Sequence, residues 1–121
     1  MNILLVDDSK MVLETLNRSL TAYGHTLDTA VNGADALKYL GKAIPDLIIS
    51  DINMPQMNGP TFLQVIRKRF PELPVILMTG IRNRDVAAAA SQNGATEYFK
   101  KPIRFEELLT CLKKVERQIA A

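Results

Sequence analysis

A single cysteine, Cys111, leaves this chain no internal disulfide and fits a reducing compartment. Long apolar runs are missing as well, and none approaches the roughly 18 residues a membrane-spanning helix requires, so no membrane insertion is expected. The N-terminus enters Ile3-Leu4-Leu5-Val6 without the basic flank or small-residue cleavage site of a signal peptide. The cytoplasm is the expected location. Basic runs are short: none exceeds Arg67-Lys68-Arg69, and no aromatic platform accompanies it, so direct nucleic-acid contact is not expected.

What is present fits one soluble domain, residues 1–121, with one core. Hydrophobic residues make up 47% of the chain and charged residues 23%, an ordinary globular balance. The net charge of +2 is unevenly spread. Residues 1–66 carry four basic against seven acidic side chains, and residues 67–121 carry eleven against six. The plain reading is a solvated surface on the later helices; the sharper one is a docking face for an acidic partner.

Three apolar runs share one shape. Leu47-Ile48-Ile49-Ser50 leads into Asp51, with Asn53 and Pro55 forcing a turn; Ile3-Leu4-Leu5-Val6 leads into Asp7-Asp8; Val75-Ile76-Leu77-Met78 leads into Thr79-Gly80. Such runs suit strands buried on both faces of a parallel sheet. Open α/β sheets bind ligands outside the carboxyl ends of their strands, where strand order reverses. Asp7, Asp8, Asp51 and Thr79 are therefore aimed at one crevice.

Between the strands the helical period is clear. Ser9 caps a helix carrying Val12, Leu13, Leu16, Leu20 and Tyr23 on one face and stopping at Gly24. Leu27 to Val31 forms a short strand, and Asn32 caps a second helix with Ala36, Leu37 and Leu40 inward, ended by Gly41. Asn58-Gly59-Pro60 opens a third, with Phe62, Leu63, Ile66 and Phe70 inward. Asp85 to Ala90 has high helix propensity but few large side chains to bury, which predicts a well-formed, lightly anchored helix. Ala95 to Phe99 forms the fifth strand, closed by Lys100-Lys101-Pro102. The last helix carries Phe105, Leu108, Leu109, Leu112, Val115 and Ile119. Five βα units with short links predict a doubly wound parallel α/β sheet with right-handed crossovers.

Three carboxylates in one pocket repel, and without compensation at least one pKa should rise. A divalent cation with oxygen ligands resolves the repulsion, and Mg²⁺ suits a site offering one or two carboxylates plus waters and a phosphate. Lys101, at the end of the fifth strand, supplies one further positive charge. With the metal bound the pocket is formally neutral and can accept a phosphoryl group. Each group alone has a plainer explanation: Asp7-Asp8 a capped turn, Asp51 a loop carboxylate, Thr79 a hydroxyl satisfying backbone, Lys101 an exposed lysine, Tyr98 half-buried core with a wet hydroxyl. Their joint position at successive strand ends is what sets them apart.

The chain resembles the response-regulator receiver domain over essentially its whole length. The resemblance rests on Asp7-Asp8, Asp51-x-Asn53-Met54-Pro55, Met57-Asn58-Gly59, Thr79-Gly80 and Tyr98-x-x-Lys101-Pro102. It implies the CheY-like, flavodoxin-like (βα)5 fold with strand order 2-1-3-4-5. It further implies that Asp51 is the phosphoacceptor in a two-component phosphorelay, attacking a phosphohistidine on a sensor histidine kinase or phosphotransfer protein. Asp8, Asp51 and the backbone carbonyl of Asn53 are then direct Mg²⁺ ligands, with Asp7 acting through water. Lys101 and Thr79 hold phosphoryl oxygens, and Thr79 with Tyr98 switches the face formed by the alanine-rich helix, the fifth strand and the last helix toward a downstream protein target. The only chemistry implied is self-catalysed phosphotransfer and autodephosphorylation, not that of an enzyme.

Departures from the family pattern are Pro60-Thr61, where relatives place an acidic residue, a slightly basic charge, and Cys111, where winged-helix regulators carry a dimer-forming arginine. A monomer or weak dimer is expected. The expected output is altered binding of another protein by a stand-alone receiver; the alternative is the receiver portion of a longer multidomain regulator or hybrid kinase. A rival of another class, a flavodoxin-like cofactor binder, would want a glycine-rich cradle after the first strand, and Val6-Asp7-Asp8-Ser9-Lys10 has none. A degenerate receiver serving only as an interaction module is disfavoured by intact Asp7, Asp8, Asp51, Thr79 and Lys101.

Overall fold

A computed structural model describes residues 1–52, 59–80, 92 and 94–120. Five parallel strands, β1 (Asn2–Val6), β2 (Thr26–Ala30), β3 (Leu47–Asp51), β4 (Val75–Thr79) and β5 (Glu97–Lys100), form one sheet in the order β2-β1-β3-β4-β5. The chain enters in the interior at β1, lays β2 on one side, and crosses to β3 on the other. Strand order therefore reverses between β1 and β3, so Asp7 and Asp51 flank the crevice where such sheets bind ligands.

Helices α1 (Lys10–Ala22), α2 (Gly33–Leu40), α3 (Gly59–Arg69) and α4 (Phe105–Ala120) flank the sheet. Strand alternation sorts the core into two layers. Leu4, Val6, Ile48 and Leu77 pack with Leu40, Phe62, Leu63 and Ile66 from α2 and α3. Ile3, Leu5, Ile49 and Met78 pack with Leu13, Leu20, Leu108 and Leu112 from α1 and α4. Each large side chain so buried contributes roughly 1.5–3 kcal/mol, and β3 and β4 are buried at every position.

The capping residues act as the sequence suggests. The Ser9 hydroxyl accepts from the Val12 N–H at 3.3 Å, and the Asn32 side-chain oxygen accepts from the Asp35 N–H at 2.7 Å. Gly24, at φ +91°, ends the α1 turn in the left-handed conformation that glycine adopts without strain.

Four boundaries or orientations differ from expectation. Tyr23 is 61% exposed: it is the C-cap of α1, its N–H bonded to the Leu20 carbonyl, and its ring leans on Phe105 at 5.5 Å. The second strand runs Thr26–Ala30, because Thr26 pairs with Asn2, and Val31 is left exposed. The fifth strand begins at Glu97, not Ala95; Thr96 instead bonds its hydroxyl to the Val75 N–H at 3.1 Å, and its own N–H donates to the Val75 carbonyl at 2.8 Å. Ile119 is exposed, one turn beyond Val115, the last buried residue of α4. The alanine-rich helix, Asn93, and the turn containing Asn53, Met54, Pro55, Met57 and Asn58 lie outside the described residues.

Candidate functional site at the carboxyl edge of the sheet

Asp7 follows β1 and Asp51 ends β3, so the register Val6↔Ser50 brings their side chains to the same edge. Asp7 is 1% exposed, Asp51 is also buried, and Asp8 between them in sequence is exposed. Both oxygens of Asp7 are engaged. Oδ1 accepts the Ser9 N–H at 2.9 Å, which shapes the turn into α1, and Oδ2 accepts from Lys101 Nζ at 2.9 Å. The first of these also bears on the cofactor rival: a backbone N–H that a phosphate cradle would aim outward is spent here on a carboxylate.

Lys101 reaches the crevice because β5 ends beside Thr79. Thr79 pairs with Lys100 in the ladder, and the Lys101 N–H donates to the Thr79 carbonyl at 2.6 Å. From there the ammonium spans two carboxylates, Asp7 at 2.9 Å and Asp51 at 3.3 Å. Burial works against its charge, but the hydrogen bond and charge of Asp7 and the charge of Asp51 outweigh it, and the Lys101 pKa lies above its ordinary 10.5. Here is the compensation that a pocket of three carboxylates demands. Thr79 itself is completely buried at the end of β4.

One carboxylate oxygen from each of Asp7, Asp8 and Asp51 lies within 4.8 Å of the others. Hard anionic oxygens at that spacing, with one ammonium among the described residues against three negative charges, fit a small divalent cation and its waters. The donor set is all oxygen, which disfavours zinc-like soft metals. The acidic triad is typical of the Mg²⁺ site of receivers. Asn53, whose carbonyl the resemblance adds to this set, lies outside the described residues.

Tyr98 departs from the wet-hydroxyl expectation. Its ring is half-buried against the layer containing Leu4 and Leu77, and its hydroxyl is buried with no hydrogen-bond partner among the described residues. Leaving such a group unsatisfied costs about 1–3 kcal/mol. On the opposite side of the sheet a groove of about 460 Å³ flanks the ammonium, walled by Met11, Val12, Leu16, Met78 and Ile103. The sequence names each charged group that the described residues bring to the crevice; it does not show that Asp7 is the principal partner of Lys101, because 94 positions separate them.

Residues 3–113 match the family described as the response regulator receiver domain, and the chain belongs to that family. It is 39% identical over 110 residues to the DNA-binding transcriptional regulator NtrC of Escherichia coli K12, covering 91% of this chain and 24% of that protein. The chain thus spans about a quarter of the length of that regulator. A two-component response regulator from Clostridium difficile superposes with a TM-score of 0.95 at 26% identity, covering 100% of this chain and 99% of the other. Chemotaxis protein CheY4 of Vibrio cholerae gives 0.87 at 33% identity, covering 94% and 97%. The fold is the CheY-like one, with strand order 2-1-3-4-5. Receivers pair with histidine kinases and are not a conventional enzyme family. No helix among the described residues is long and apolar enough to cross a membrane.

Proposed function

We propose that residues 1–121 form a single cytoplasmic receiver domain that accepts a phosphoryl group on Asp51 from a sensor histidine kinase or phosphotransfer protein. The observation that carries the reading is the Lys101 ammonium, held 2.9 Å from buried Asp7 and 3.3 Å from Asp51 at the strand edge that also carries Thr79. A carboxylate oxygen of Asp51 attacks phosphorus, the bond from phosphorus to the imidazole nitrogen breaks, and that bonding pair stays with the imidazole. The product is an acyl phosphate. Transfer of this kind asks for positioning and charge stabilisation and little else. Lys101 and the Thr79 hydroxyl take the phosphoryl oxygens, while Asp7 keeps the lysine aimed. Asp8, Asp51 and the carbonyl of Asn53, with Asp7 acting through water, would hold Mg²⁺, which would supply charge neutralisation.

Metal binding tests the carboxylates separately from the chemistry. Asp8 is exposed and Asp8→Ala should leave the fold intact, yet its Mg²⁺ affinity in a calorimetric titration should fall at least ~10-fold because a third of the anionic charge is gone. An unchanged affinity would remove Asp8 from the ligand set.

The output is a change in the surface around β5 and α4 that a downstream protein reads. Thr79 and Tyr98 couple it to Asp51: the phosphoryl group hydrogen-bonds Thr79 in one state only, and only such a differential contact shifts an equilibrium. The buried Tyr98 hydroxyl, without a hydrogen-bond partner among the described residues, supports this, since such a group costs about 1–3 kcal/mol and a state that pairs it is brought close in energy. In Thr79→Ala, beryllofluoride should still shift amide resonances beside Asp51 but should leave those of Tyr98 and Phe99 near their unliganded positions. A full wild-type response at Tyr98 would assign the coupling to another residue.

A further inference from the structure

The strand that carries Tyr98 and leads into Lys101 is fastened at both ends, and the second fastening lies far from the acidic crevice. Arg67, in the last turn of α3, uses its Nε and Nη2 to grip one acceptor, the Gly94 carbonyl, at 3.0 and 2.8 Å. Its Nη1 donates to the carbonyls of Phe70 at 3.1 Å and Leu73 at 2.5 Å. One planar guanidinium thus ties the end of α3, the lead into β4 and the approach to β5 together. Only arginine has the fixed fork for this. Gly94 is shaped to the contact: it sits at φ +91°, and a Cβ there would come within 3.0 Å of Arg67 Nε. Two residues on, Thr96 bonds Val75 through both its N–H and its hydroxyl. At the other end β5 is held by Lys101, whose ammonium touches the very carboxylates that phosphorylation would change.

We infer that Arg67 is a positioning residue that pins the entry of β5, so that a change of charge at Asp51 moves the strand at its Lys101 end and stops before Gly94. The inference rests on the phosphoacceptor reading for its trigger but not for the clamp. Arg67 touches none of the crevice groups among the contacts of the described residues; it acts through backbone carbonyls alone. A lysine in its place keeps the charge but, as a point donor on a flexible stem, loses the two-pronged grip.

Two measurements on Arg67→Lys and Arg67→Ala decide it, each after circular dichroism has established a native fold. The first is amide hydrogen exchange with no phosphoryl mimic present. The Thr96 and Glu97 amides should exchange at least ~10-fold faster in both variants, whereas those of Ile48 and Ile49 on β3 should not change. The second is the extent of the beryllofluoride-induced amide shifts. In the wild type these should fade along β5 toward Glu97; in Arg67→Lys they should run through Thr96 and Gly94. A purely structural weakening would speed exchange without lengthening the shifted region, and that result would overturn the inference, as would wild-type exchange at Thr96 in both variants. Should Arg67→Ala fail to fold, Arg67→Lys alone carries both readouts, with Gly94→Ala, which crowds the guanidinium from the other side, expected to reproduce its exchange pattern. A wild type that shows no beryllofluoride shifts would count against Asp51 as acceptor, and the exchange comparison would still decide the clamp.

Discussion

Acetyl phosphate with Mg²⁺ should add one phosphoryl group to this chain, and none to Asp51→Asn. The choice among three neighbouring carboxylates follows from what each already does. Asp7 has one oxygen on the Ser9 N–H and the other on Lys101, so it is committed to holding the turn and the lysine. Asp8 is exposed and forms no ion pair with the ammonium among the described residues. Asp51 ends the central strand, with Lys101 at 3.3 Å and the Thr79 strand end adjoining through the Asp51↔Met78 register. Of the three, Asp51 is therefore the one expected to act as the nucleophile, with Lys101 and Thr79 beside it for the oxygens of an incoming phosphate. Asparagine matches its shape but lacks the anionic oxygen, and it removes one of three like charges, so the variant should fold at least as stably as the wild type. Intact mass spectrometry reads the result. The label should be lost in hydroxylamine and in base, as an acyl phosphate is. A base-resistant label on a serine or threonine, or undiminished labelling of Asp51→Asn, would refute the assignment.

How much of this was visible in the residues alone depends on distance along the chain. The strands were legible because β3 and β4 are buried on both faces and read as unbroken apolar runs, Leu47 to Ile49 and Val75 to Met78. The helix starts were legible because Ser9 and Asn32 cap within three residues of themselves. The crevice was legible because each of its side chains sits just past such a run. Edges were harder. β5 is only half-buried, and the residues leading into it bond elsewhere, Gly94 to the Arg67 guanidinium and Thr96 to Val75, so the strand starts at Glu97, two residues after the expected Ala95. Tyr23 and Ile119 keep the helical spacing of buried residues, but the period continues past the point where the sheet stops offering a surface. Arg67 gave no signal at all: inside Arg67-Lys68-Arg69 it looks like a solvated basic turn, and only the fold brings Gly94 to it. The same holds for His25, whose ring lies 3.1 Å from the Met1 ammonium and 3.8 Å from Glu116.

Removing the ammonium should have the largest effect on stability. In Lys101→Met the apolar stem is kept, but Asp7, 1% exposed, loses the cation bonded to it at 2.9 Å. Breaking a buried pair from one side costs about 3–5 kcal/mol; the lysine side chain is 26% exposed, so about 2–3 kcal/mol is the better expectation. For a domain of this size that lowers the melting temperature by roughly 10 °C. The pH dependence follows from the raised Lys101 pKa. A cation whose folded pKa is raised contributes fully below its unfolded value of 10.5 and is lost only as pH climbs through the folded one. At pH 8 in EDTA the whole gap between wild type and variant should therefore be present. Raising the pH through the folded Lys101 value should narrow it, because the wild type then loses the charge that the variant never had. Mg²⁺ should narrow it too, since the variant keeps all three carboxylates and has lost the cation that, among the described residues, competes for them. At tenfold excess over the dissociation constant, binding stabilises by about 1.4 kcal/mol, and the variant should gain more than the wild type at the same concentration. Thermal melts at two pH values, with and without Mg²⁺, contain the whole test. Equal melting of both proteins in EDTA, or an identical gain from the metal, would mean that the ammonium does not hold the charge balance of the crevice.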